Sequence, residues 1–116
     1  MFDVMRRATA LIVMTLATGC AEPAVYQPAE PLDARTMAMW TESCALCHVA
    51  GEAGAPRTGI FEEWQPRLEQ GGAVLLQHTI EGFNMMPPLG YCMGCETSDF
   101  ERMIEFMAGV QLETES

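Results

Sequence analysis

Cys44-Ala45-Leu46-Cys47-His48 is the stretch that decides how this chain folds. Two cysteines separated by two residues, with a histidine directly behind, form the attachment pattern for a c-type haem. Each thiol adds across one vinyl group of the porphyrin, and the histidine becomes the proximal iron ligand. The group is held covalently, so even a small chain keeps it. Half a zinc site and a redox dithiol share the C-x-x-C spacing. The sequence on either side of the motif separates these readings.

Upstream, Asp33 is placed to cap a helix that runs towards Cys44, with Met37, Trp40 and Cys44 at helical spacing. The haem motif ends that helix. Residues 20–32 contain Pro23, Pro28 and Pro31 and read as an extended tether. Residues 1–19 read as a bacterial export signal. Arg6 and Arg7 form the positive region, and an apolar stretch too short to span a bilayer follows. It closes on Leu16-Ala17-Thr18-Gly19-Cys20, which has the form of a lipobox with Cys20 as the lipid-bearing residue. This predicts an exported protein, lipid-anchored on the periplasmic side of a bacterial membrane. Ala21, in place of an aspartate after the cysteine, favours the outer membrane.

Downstream, the glycines and Pro56 of residues 49–59 predict a loop. A short helix is expected over 66–70, with Pro66 in its first turn, and Gly71-Gly72 ends it. A further helix follows over 73–80, then a Gly-, Pro- and Met-rich loop over 82–95. In the last helix, Phe100, Met103, Ile104 and Met107 form one apolar stripe. Ser98 and Glu101 have the spacing of a capping box, and Gly109 marks the end. No strand signal, repeat or second domain is visible. The expectation for 33–116 is one all-α domain of about four short helices around one haem.

An electron carrier closes its sixth iron position, because a second strong ligand limits rearrangement between ferric and ferrous states. A thioether favours ferrous iron and raises the potential. Of ten methionines, Met86 is the best placed. It precedes Pro87-Pro88, which holds it extended in a stiff loop, and Met85 should then point the other way. His78, within a predicted helix, is the other candidate ligand. Cys92 and Cys95 remain after Cys20, Cys44 and Cys47 are assigned. An oxidising compartment favours a disulfide between them, closing a very short loop.

The net charge is −10, with 16 acidic residues, 6 arginines and no lysine. Loss of the leader makes it one unit more negative. Nucleic acid is excluded as a partner by repulsion from the phosphates. Docking through a ring of lysines is excluded too. Redox partners with a basic surface, or contact through an apolar patch at the haem edge, fit better.

Beyond the haem motif, the chain carries Gly51, Gly54-Ala55-Pro56, Trp64-Gln65-Pro66-Arg67, Gly71, His78, Glu81-Gly82-Phe83-Asn84, Met86-Pro87-Pro88 and Gly90-Tyr91-Cys92-Met93-Gly94-Cys95 with Ser98-Asp99. In these it resembles the class I c-type cytochromes, and most closely the cytochrome c5 group, over nearly all of 33–109. The resemblance implies crossed first and last helices, Met86 as distal ligand and a Cys92–Cys95 disulfide. It implies that the Pro56 carbonyl accepts the imidazole N–H of His48, and that Trp64 and Arg67 lie near the haem propionates. The activity implied is single-electron transfer between redox proteins, without substrate chemistry. Two other classes compete. One is a gas- or peroxide-reactive or sensory haem with a labile Met86. The other is a structural zinc domain built on Cys44, Cys47, Cys92 and Cys95.

Overall fold

Asp33 begins the first helix of the computed structural model, which describes residues 29–113. The leader, Cys20 and the tether as far as residue 28 lie outside the described residues. Among the described residues five α-helices follow in order: α1 Ala34–Glu42, α2 Ala45–His48, α3 Phe61–Leu68, α4 Gly72–Glu81 and α5 Thr97–Ala108. Among the described residues there is no strand, and no helix is long and apolar enough to cross a membrane.

The fold is all-α, with one more helix than the four expected. The extra helix is the haem motif itself. Instead of simply ending α1, the chain breaks at Ser43 (φ −127°, ψ −81°). The buried Ser43 hydroxyl donates to the Met39 carbonyl at 2.6 Å, which supplies a partner to one of the carbonyls left open at a helix end. The single turn of α2 then sets Cys44 and Cys47 three residues apart, on one side of that turn.

Pro66 lies inside α3 rather than in its first turn, because the helix begins at Phe61. A proline there forgoes one backbone bond. Side-chain anchors hold the helix nonetheless. Trp64 is buried and its indole N–H donates to the Arg57 carbonyl at 2.8 Å. Arg67 donates to the Glu63 carbonyl at 2.6 Å, and the Arg57 guanidinium pairs with Glu63.

The cap of α5 also falls elsewhere than expected. Glu96 and Asp99, not Ser98 and Glu101, form the reciprocal box, since the helix starts two residues before the serine would allow. The stripe of Phe100, Met103, Ile104 and Met107 is buried as expected, and Gly109 ends the helix in the left-handed conformation.

Helices α1 and α5 pack against each other, with Trp40 edge-on to Phe106 at 5.2 Å. Their N-terminal ends exchange two ion pairs, Arg35–Asp99 and Arg102–Asp33, each at 2.8 Å. Asp33 therefore caps its own helix and binds the other. Its carboxyl is held down to about 2, first by the Thr36 backbone amide, then by the Thr36 hydroxyl and, to a smaller degree, by Arg102. A depressed carboxylate stabilises the fold above its unfolded pKa, and this contribution is lost as pH falls from about 4 to about 2. Asp33→Ala is expected to lower Tm at neutral pH and to flatten the fall of Tm across that acid window. Thermal unfolding of the two holoproteins between pH 7 and pH 2 checks both effects.

Candidate functional site

Cys44, Cys47, His48 and Met86 all line one largely apolar cavity. Its walls come from α4 through Leu75 and Thr79, and from α5 through Phe100, Met103, Ile104 and Met107. The apolar stripe of the last helix thus serves two purposes. It fills the core and also faces the cavity.

His48 is buried and restrained on two sides. Its Nδ1–H donates to the Pro56 carbonyl at 2.7 Å. The ring of Trp64 stacks on it at 5.6 Å between centroids. Burial pushes the imidazole pKa below its ordinary value, the Pro56 bond opposes this, and Arg67 lowers it slightly further. The ring is therefore neutral at pH 7, with Nε2 as its remaining lone pair. A metal-ligating histidine has this arrangement, with the distal nitrogen fixed by an outer hydrogen bond.

Cys44 is buried with its sulfur 3.9 Å from the Met103 sulfur, and burial raises its thiol pKa. Cys47 is half-buried. Two cysteines and a neutral histidine at one end of an apolar cavity match what a covalent haem needs: two thioether anchors, one nitrogen ligand and apolar walls for the porphyrin face.

Met86 is set by a tight turn. Phe83 and Met86 exchange both backbone hydrogen bonds, N–H to carbonyl at 3.0 and 2.9 Å. Asn84, at the tip, has φ +53°, a conformation that asparagine tolerates better than most residues. Met85 is strongly exposed while Met86 is half-buried, so the two neighbours diverge. The buried Gly90 sits against the Met86 methyl, for a Cβ there would lie 3.4 Å from Cε. Leu89, Gly90 and Tyr91 are consecutive left-handed residues, which is costly for the two that are not glycine.

At Gly82 (φ +85°) an added Cβ would come within 3.0 Å of the Met86 carbonyl oxygen and of Pro88. Gly82→Ala is expected to cost about 1–3 kcal/mol through the left-handed backbone and the clash. Because the collision is with the Met86 segment, it is also expected to displace that turn from the cavity wall. Thermal unfolding of Gly82→Ala against the unsubstituted protein checks the cost.

His78 lines the same cavity, with its ring stacked on Phe83 at 3.9 Å. Trp64 and Arg67 line it as well. The sulfurs of Cys92 and Cys95 lie within bonding distance on the turn that follows Gly90, with Cα atoms 5.4 Å apart. The Cys95 sulfur touches that of Met39 at 3.6 Å. The four cysteines do not converge. No group of three or more His, Cys, Asp or Glu side chains suited to a metal ion occurs among the described residues.

Sequence reasoning missed Phe83 and Gly90 as parts of the site. Only the turn makes Phe83 relevant, and nothing local marks which glycine meets the Met86 side chain.

Residues 32–107 match the family described as cytochrome c oxidase, cbb3-type, subunit III. Cytochrome c5 of Ectopseudomonas mendocina is 36% identical over 69 residues, covering 58% of this chain and 79% of that protein. A mono-haem ferrocytochrome c from Shewanella putrefaciens is 36% identical and superposes with a TM-score of 0.59, over 72% of this chain and all of that one. A cytochrome c solved in an electron transfer complex with nitrite reductase is 29% identical, with a TM-score of 0.59 over 67% of this chain and 95% of that one.

Proposed function

Because the chain belongs to the class I c-type cytochromes of the cytochrome c5 group, and so holds one haem c through Cys44 and Cys47 and transfers single electrons, we propose that its axial ligands are His48 and Met86. The observation that carries this is the convergence of both side chains on one apolar cavity, with His48 Nδ1 already committed to Pro56. When bound, the haem iron supplies a one-electron couple. The chain holds the ligand set fixed: Pro56 and Trp64 restrain His48, and the Phe83–Met86 turn and Gly90 restrain Met86. Little then moves when charge changes. The thioether favours the ferrous state and raises the potential. A Cys92–Cys95 disulfide would stiffen the turn behind Gly90.

The protein acts as a carrier rather than an enzyme. Residues 82–95 carry no charged side chain, in a chain otherwise rich in carboxylates. Within them Phe83 is 50%, Met85 75%, Tyr91 65% and Met93 76% exposed, and the exposed Glu81 and Glu96 flank the run. Such a face suits a redox protein that presents an apolar patch with a basic rim. The signal sequence supports export, with Cys20 as lipid anchor, residues 20–32 as tether and the domain held on the periplasmic side of a membrane.

Oxidised and reduced absorption spectra of protein matured with a c-type haem assembly system test this reading. Sharp reduced bands together with the weak far-red ferric band of sulfur–iron ligation are expected. Reduced c-type bands without the far-red band would remove Met86 and return His78 or an open iron to consideration.

A further inference from the structure

We propose that His78 is a positioning residue for Met86, acting through Phe83. The inference rests on the His48/Met86 reading and names the residue that aims the second ligand.

His78 lies in the last turn of α4, and Phe83 lies just past the helix end. Their rings are nearly parallel, with planes 10° apart and centroids 3.9 Å apart. Phe83 is half exposed, so the contact is a specific pairing rather than a by-product of core burial. Phe83 is also the residue that exchanges both backbone hydrogen bonds with Met86.

Between helix and turn stands Gly82 at φ +85°. A glycine joint leaves the direction of the following segment weakly determined by the backbone alone. The ring stack adds a second link across that joint. One side of the Phe83–Met86 turn is thereby tied to α4, and α4 itself is anchored by the buried Leu75 and Thr79. The Met86 side chain then enters the cavity from a turn held at two points. His78 lines the same cavity, which raises a rival role as a spare iron ligand. A stacking role and a ligand role make opposite predictions for an aromatic replacement that cannot ligate.

The test compares holoprotein carrying His78→Ala, His78→Phe or Met86→Ala with the unsubstituted holoprotein. The readouts are amide hydrogen exchange by NMR, the far-red ferric band and the reduction potential. In His78→Ala, the Phe83 and Met86 amides are expected to exchange about three- to tenfold faster, the size of change that loss of an aromatic pair brings to a local opening. The Ile104 amide in α5 should be unchanged, the far-red band weaker and the potential lower. His78→Phe keeps the stack and is expected to restore exchange to within about twofold and to recover the band.

Unchanged exchange at Phe83 and Met86 in His78→Ala would overturn the proposal. So would a His78→Phe protein as impaired as His78→Ala, because the imidazole itself would then be what matters. Survival of the far-red band in Met86→Ala would instead overturn the ligand reading. The exchange of the turn amides would still decide the role of His78, since it does not depend on which group binds iron.

Discussion

Simultaneous replacement of Cys44 and Cys47 by serine is expected to give a chain with no covalent haem and no ordered core. The cavity is walled by Leu75, Phe100, Met103, Ile104 and Met107. Without a covalently held porphyrin these side chains face water or collapse onto one another with poor packing. Burying a large apolar side chain contributes roughly 1.5–3 kcal/mol, while a small domain has only about 5–15 kcal/mol of net stability. Exposing even part of this wall exhausts that margin. A pyridine haemochrome assay should show no thioether-linked haem, and circular dichroism should show loss of most helical signal. Single replacements should retain haem through one thioether at reduced yield. The Cys44 variant should be the more damaged, because its buried sulfur also packs on Met103. A double variant with intact, cooperative unfolding would show that the fold does not need its cofactor.

Met86→Ala is expected to change the redox chemistry more than the fold. Met86 is only half-buried, so truncation costs little packing. Under the proposed His48/Met86 ligation, loss of the thioether removes the group that favours ferrous iron. The potential should fall by on the order of 0.1 V or more, within the roughly 0.8 V span that axial ligation controls. The far-red band should disappear, and reduced protein should bind carbon monoxide, which the six-coordinate form resists. Spectroelectrochemistry and a carbon monoxide difference spectrum check the three effects. A variant that keeps both band and potential would assign the ligand elsewhere.

These two predictions draw on features that were readable in the residues. The haem motif states its chemistry by spacing. Met86 stands out because a proline fixes the conformation of the residue before it. The stripe of α5 was legible because Phe100, Met103, Ile104 and Met107 repeat at the helical period and Gly109 closes it. That period shows which face is buried but not what buries it. It could not tell core from cavity wall, and the same four residues are both.

The cap of α5 was misplaced because serine is a better capping residue than glutamate by propensity. Asp99 reverses that order, since it takes the Glu96 amide and the distant Arg35 together. The break at Ser43 and the interior position of Pro66 depend on the Met39 carbonyl and on the buried Trp64, contacts that local pattern does not reveal. The stack of His78 on Phe83 is likewise invisible to helical periodicity, because Gly82 takes the chain out of the helix between them.

The packing of α1 against α5 bears on the order in which the chain can close. Arg35 and Asp99 stand 64 residues apart in the chain, yet they pair at 2.8 Å. A chain synthesised N-terminus first presents residues 44–48 long before residues 97–108 arrive to pack against α1. Closing a loop of that size also comes late, because its entropic cost precedes any reward from the contacts. The Cys44 sulfur is buried in the finished domain and packs on Met103 of that last helix, so it is more accessible in a chain whose C-terminal helix has not yet docked than in the finished fold.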